Sequence, residues 1–380
     1  MLDIVLDTLS QIFIYAAMGL YAVAFVFFAL DLARRSARAT IPASVPSAVS
    51  RRSAATEDVL FVEAGDAGAA GAASGRTGAA DAATTATATV TATRAAASGG
   101  SGGRSGSAAI ARLTSRIEDD VHGDRVTSTS LRVAMVVTIV GFSTHLLADL
   151  FRGLAAGRVP WANMWEFSMT GTLIIVGIFL LANLRFDVRY LGTFVLFLVC
   201  ILLMIATTKY YVPVVPLPPA LQSYWLVIHI MVALLATAFF ALGFALSAAQ
   251  LLQVRREHQV AQDKPTQLRF LATLPKSDTL ENLAYRINIV GFIFWTFTLI
   301  AGAIWAEKAW GRYWGWDTKE VWTFIIWVIY AGYIHARATR GWRGTRSAWL
   351  ALIGFSAVMF NFGVVNVFFH GLHSYSGLTS

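Results

Sequence analysis

The chain has 380 residues, of which 56% are hydrophobic and only 14% charged, with a mean hydropathy of +0.60. Those values exclude a soluble globular domain of this length. The net charge of +8 is not carried by a basic run interleaved with aromatics, so nucleic-acid binding gains no support.

Apolar runs long enough to cross a bilayer lie near 11–32, 131–151, 165–184, 190–208, 223–252, 286–306, 320–336 and 347–369. The predicted fold is an all-α polytopic membrane protein of about eight transmembrane helices. Residues 1–36 form the first helix, too long and too well followed by other spans for a cleaved signal peptide. Residues 37–128 are rich in Ala, Gly, Ser and Thr. They have too few large apolar groups to offset ordering entropy, and read as a disordered cytoplasmic linker. Residues 129–380 form a seven-helix domain. Cys200, the only cysteine, sits in an apolar run and reads as packing.

Lysine and arginine set the orientation. With the N-terminus outside, the segments 33–130, 185–189, 253–285 and 337–346 are cytoplasmic and hold 22 of the 30 basic residues. Both termini then face outward, as does the loop WAEKAWGRYWGWDTKEVW. Six of the twelve tryptophans lie between Trp305 and Trp327, five of them in that loop. Its glycines allow tight turning, so Trp305, Trp310, Trp314 and Trp316 can converge as an aromatic floor. With Arg312 and Lys319 beside it, such a floor suits a large, planar, anionic ligand. The competing reading is a belt of tryptophans at the lipid headgroups.

Depth sorts the histidines. His229 lies six residues into the fifth span, about 9 Å below its outer end at 1.5 Å per residue. His370 and His373 follow the eighth span, also outside. His229 and His373 can thus meet the tryptophan loop, and two neutral imidazoles there suit axial ligation of a haem iron. A satisfied packing histidine is the alternative for each. His370 reads as a turn support. His335 lies fifteen residues after Glu320, about 22 Å deeper, and cannot share that ligand. It is either a capping residue beside Arg337 or one ligand of an inner site whose second histidine comes from another protein. His145 reads as packing or hydrogen bonding, and His122 and His258 as solvated loop residues.

Asp317 and Glu320 are spaced for a capping box at the start of the seventh span, and Glu166 starts the third in the same way. Arg152 and Arg158 face outward, where they can meet propionates or simply snorkel to the interface. No catalytic Ser-His-Asp set, Walker loop or dinucleotide fingerprint is present.

The string GAIWAEKAWGRYWGWDTKEVW resembles the WWD motif of the haem-handling superfamily. With GRVPWANMWEF, SYWLVIHI, WVIYAGYIHAR and FGVVNVFFHGLHSY, the chain resembles, from about 130 to 377, the CcsA or ResC family of system II cytochrome c biogenesis, labelled CcsB in actinobacteria. Thr318 stands where the family usually has proline, a tolerable change in a first helical turn.

The resemblance implies a WWD loop over 305–322, with Trp305, Trp310, Trp314, Trp316 and Asp317 as haem platform. His229 and His373 would be the external axial ligands, and His335 the transmembrane one, paired with a histidine of a Ccs1/ResB-type partner. Arg152, Arg158 and Arg312 are candidate propionate contacts. The ligand and substrate would be haem b. The chain would be a subunit of a cytochrome c haem lyase in the plasma membrane, active only with that partner. It would carry haem outward and present it for thioether attachment to the CxxCH of apocytochrome c, whose thiols thioredoxin-like proteins keep reduced. The alternatives are a haem exporter or chaperone-loading protein without ligation, and a transporter or channel whose tryptophans only anchor it.

Overall fold

The computed structural model describes residues 1–38, 128–266, 269–339, 341–369 and 371–373. The expected linker falls outside them except at its edges. The first helix runs on to Arg38, and Ser128 caps the second, accepting a hydrogen bond from Leu131 N at 3.1 Å. His122 and His370 also lie outside the described residues.

Among the described residues eight long helices follow in chain order. They are α1 (Leu2–Arg38), α2 (Thr129–Ala156), α3 (Met164–Arg185), α4 (Gly192–Ile205), α5 (Tyr224–Ala261), α6 (Ser277–Trp310), α7 (Thr318–Thr339) and α8 (Thr345–Phe360). A π turn, Asn361–Val365, and a short α9, Asn366–Phe368, extend α8. No strand occurs among the described residues. Continuous apolar sequence has this outcome because a backbone in lipid must satisfy its own N–H and C=O groups, which a helix does internally.

Seven of these helices are long and apolar enough to cross a membrane, α4 and α8 counting with their flanking turns. The chain is therefore a multi-pass membrane protein. The eighth expected span also forms a helix, α7, whose 22 residues measure about 33 Å. It is not among the seven most apolar, because Lys319, Glu320, His335 and Arg337 lower its hydropathy.

The most extensive pairings are α1 with α2 and α5 with α6. α8 packs on both α5 and α7, and α3 on α5, so α5 is central to the half of the bundle that carries the tryptophan loop. One apolar core, from Ile14 and Tyr21 on α1 to Phe355 on α8, runs through the bundle. Cys200 is a free, half-buried thiol against that core. His145 is fully buried and meets the Tyr21 hydroxyl at 3.2 Å. His258 lies on the last turns of α5 rather than in a loop, with its ring against the Gln262 amide at 3.1 Å.

Arg152 is fully buried near the end of α2. Its Nε donates to Glu166 Oε1 at 2.9 Å, one terminal nitrogen to Asp7 Oδ1 at 2.5 Å and the other to the Val212 carbonyl at 2.8 Å. Arg158 donates to Glu166 Oε2 at 2.6 Å. The two arginines expected near propionates are thus tied into an internal ion-pair network that joins α1, α2 and α3.

Candidate functional site

α5 begins at the Ser223 cap, whose hydroxyl accepts from Trp225 N at 3.3 Å, and His229 lies on its second turn. The His229 Nδ1 stands 3.0 Å from the Thr298 carbonyl on α6. A carbonyl only accepts, so Nδ1 carries the proton and Nε2 is left with its lone pair. Close approach of the two helices depends on Gly302, where a Cβ would come within 2.8 Å of the His229 ring. One turn on, the Trp305 indole stacks on that ring, with centroids 5.8 Å apart and planes 13° from parallel. Trp305 is itself pinned, since its Nε1 donates to the Ala220 carbonyl at 3.0 Å.

α6 ends at Gly311, whose φ of +69° lets the chain reverse as few other residues would. Beyond it, Glu320 organises the loop. Its carboxylate accepts from Arg312 at 3.1 Å, from Gly315 N at 2.8 Å and from Asp317 N at 3.1 Å. The last bond is the return half of a capping box. The other half is weak, with Lys319 N 3.4 Å from Asp317 Oδ2.

The main task of the Asp317 side chain lies elsewhere. Its Oδ1 accepts from Leu372 N at 3.1 Å, and its Oδ2 is 2.7 Å from His373 Nδ1. That hydrogen bond from His373 holds the Asp317 carboxyl below the usual carboxylate range. At Gly371 a Cβ would fall 2.1 Å from Asp317 Oδ1, so only glycine allows the C-terminal segment to come this close. His373 packs edge-on against Trp305 and Trp310, at 5.4 and 4.8 Å between centroids.

Both imidazoles therefore stand against the same indole, Trp305. Each is fixed through Nδ1 by a protein acceptor, which sets the ring orientation and, with the proton on Nδ1, leaves the lone pair on Nε2. Metal-binding histidines are held by such outer partners.

Open space surrounds them. His229 and His373 line a cleft of about 570 Å³ with Trp161, Leu226 and Phe362, and a second of about 480 Å³ with Trp314, Tyr313 and Gly302. His229 also opens onto a deeper chamber of about 840 Å³, walled by apolar residues such as Ile175, Leu234 and Val358. Imidazoles lining space with aromatic walls suit a large planar ligand. No group of three or more His, Cys, Asp or Glu side chains able to hold a metal ion occurs among the described residues.

Of the expected platform, Trp305 is buried and Trp310 half-buried at the end of α6, and Trp314 lines a cleft. Trp316 differs: it is 76% exposed, with φ at +60°, and touches Trp314 edge-on at 5.8 Å. The single floor of four indoles is thus two groups, an inner pair on the histidines and an outer pair at the surface. The cause is that α6 continues to Trp310, so the first two indoles obey helix geometry rather than the loop. Arg312 is held by Glu320 and lies 5.7 Å from the centre of the Trp310 ring. His335, at the opposite end of α7, is exposed, and only its backbone carbonyl is engaged, by Thr339 at 2.7 Å. Trp161, Thr298, Gly302 and Lys319 complete the site. In the sequence only Lys319 stood out, as a loop cation.

Alanine at Asp317 is expected to release His373 and the closing turn while leaving His229 in place. Losing an outer partner of this kind weakens metal binding by roughly 10–100-fold. Haem titration of the purified variant checks this, and wild-type affinity would show that Asp317 serves only the helix cap.

The fold and these contacts define a multi-pass membrane protein in which two histidines, each held through Nδ1, stand against one tryptophan at one end of the bundle. Residues 161–373 match the family described as Cytochrome C assembly protein, and the chain belongs to that family. It is 33% identical over 266 residues to cytochrome c biogenesis protein CcsA of Guillardia theta, covering 64% of this chain and 87% of the relative. Against CcsA of Synechococcus sp. (strain RCC307) it is 34% identical over 281 residues, covering 67% and 88%. Against CcsA of Prochlorococcus marinus (strain MIT 9215) it is 33% identical over 275 residues, covering 65% and 85%.

Proposed function

We propose that this chain acts in cytochrome c biogenesis by carrying haem b to the tryptophan-loop face of the membrane and presenting it to an apocytochrome. The observation that carries this reading is the pair His229 and His373, each anchored through Nδ1 and each offering Nε2 beside Trp305. Those two nitrogens would hold the iron, while Trp305 and Trp310 support the ring and Trp314 borders it. Bound haem supplies two vinyl groups, and thioether attachment adds the S–H of each CxxCH cysteine across one vinyl C=C bond. Cys200, set in the apolar core, takes no part, so the thiols are those of the apocytochrome.

The distribution of lysine and arginine supports a plasma-membrane orientation with this loop outside. His335 supports a second station. It is exposed on the side of α7, about 22 Å along the helix from Glu320, where a Ccs1/ResB-type partner could complete its ligand set. Haem would pass from that station to the His229–His373 pair.

The test is to purify the chain with this partner, load haem, and add reduced apocytochrome. Haem that resists acid-acetone extraction from the apocytochrome is the expected product. Transfer that stays extractable would replace ligation with simple export.

A further inference from the structure

Lys319 is the second residue of α7, and its place there works against the helix. A cation in the first turn faces the positive end of the macrodipole, where Asp317 and Glu320 are the favourable charges. Neither carboxylate pairs with its ammonium group. Asp317 is occupied by Leu372 and His373, and Glu320 by Arg312, Gly315 N and Asp317 N. Asn366 Oδ1 accepts one of the three ammonium donors. The side chain is half-buried among apolar and aromatic walls, where a charge without a direct ion pair is expensive, and the nearby Asp317 carboxylate attracts it without forming one.

Its position relative to the open space is specific. Lys319 lines both clefts that the two histidines share, and also the deeper chamber. Among the described residues no other lysine or arginine lines any of the three. Arg152, Arg158 and Arg312, the other candidate anion contacts, are held by Glu166 and Glu320.

We propose that Lys319 is the carboxylate-binding cation of this site and takes the propionate edge of the macrocycle against the first turn of α7. This rests on the haem reading above. The charge of the ligand then supplies the direct ion pair that Lys319 lacks among the described residues. The opposite edge of the ring, which carries vinyl groups, lies away from it.

The experiment compares haem with haem dimethyl ester, whose propionates are uncharged, on the purified full-length chain in detergent. Wild type is expected to bind haem about 10–100-fold more tightly than the ester, the range for one hydrogen bond to a charged group. Lys319→Met should erase that preference while keeping the spectrum of two-histidine ligation, and Lys319→Arg should restore it. The ester comparison on wild type needs no variant, so a misfolded Lys319→Met leaves the test intact. Equal binding of haem and ester by wild type would overturn the role of Lys319 alone. Failure of wild type to bind either one would overturn the haem reading and this proposal together.

Discussion

Alanine at His229 or at His373 is expected to remove the two-histidine spectrum of bound haem, while alanine at His335 leaves the spectrum of this site unchanged. On the proposed haem reading each of the first two removes an iron ligand, so affinity should fall by more than the roughly 10–100-fold that an outer partner costs. The two variants should differ in their side effects. His229 sits between α5 and α6, bonded to the Thr298 carbonyl and stacked on Trp305. Its loss leaves a gap within the packed wall. His373 stands on a terminal turn held by Asp317, so its loss leaves the bundle as it was. Absorbance spectra of the reduced and oxidised proteins, with thermal melts beside them, separate the two effects. Wild-type spectra from both variants would end the case for this pair.

Alanine at Glu166 carries the largest expected cost in stability. The carboxylate is fully buried and accepts from Arg152, from Arg158 and from Ala162 N at 2.8 Å. Removing it strands the buried Arg152 guanidinium with Asp7 and one carbonyl as partners. Breaking a buried ion pair from one side costs about 3–5 kcal/mol. Replacing the whole network by apolar groups of similar volume would cost much less, because no charge is then left unpaired. Glu166→Ala should therefore lower the melting temperature in detergent sharply, with or without haem. The segment Trp161–Met164, which lines one cleft, follows directly from this network. Haem affinity should fall with stability. A melt unchanged from wild type would show that the network is dispensable.

Much of the fold is legible in the order of the residues alone. Hydropathy is a sum over neighbours in the chain, so eight apolar runs translate directly into eight long helices. The helices extend past the apolar runs by up to nine residues, as where α5 continues to Ala261 and α6 begins at Ser277. Helical rise converts residue number into depth, which is why counting alone placed His229 with the loop and His335 far from it. The C-terminal histidine followed from the end of the last span, and Glu320 as a capping residue from its spacing to Asp317.

Other features could not be read that way. That Thr298 and Asp317 hold the two imidazoles by Nδ1 depends on contacts across 69 and 56 residues of sequence. The pairing of Arg152 with Asp7 spans 145. Local pattern carries no trace of such partners, so those arginines read equally well as ligand contacts. The division of the tryptophans into an inner and an outer pair came from where α6 stops, and a left-handed residue at Trp316 turned the last indole outward.

By itself, then, the sequence determined that this is a multi-pass helical membrane protein with histidines and a tryptophan loop at one end, because hydrophobicity, helical rise and charge bias are local and additive. Only the tertiary structure decided which nitrogen of each histidine is free, which arginines are already paired, and that Lys319 faces the open space. Those depend on which helices touch, and contact between distant segments is settled by packing rather than by local pattern.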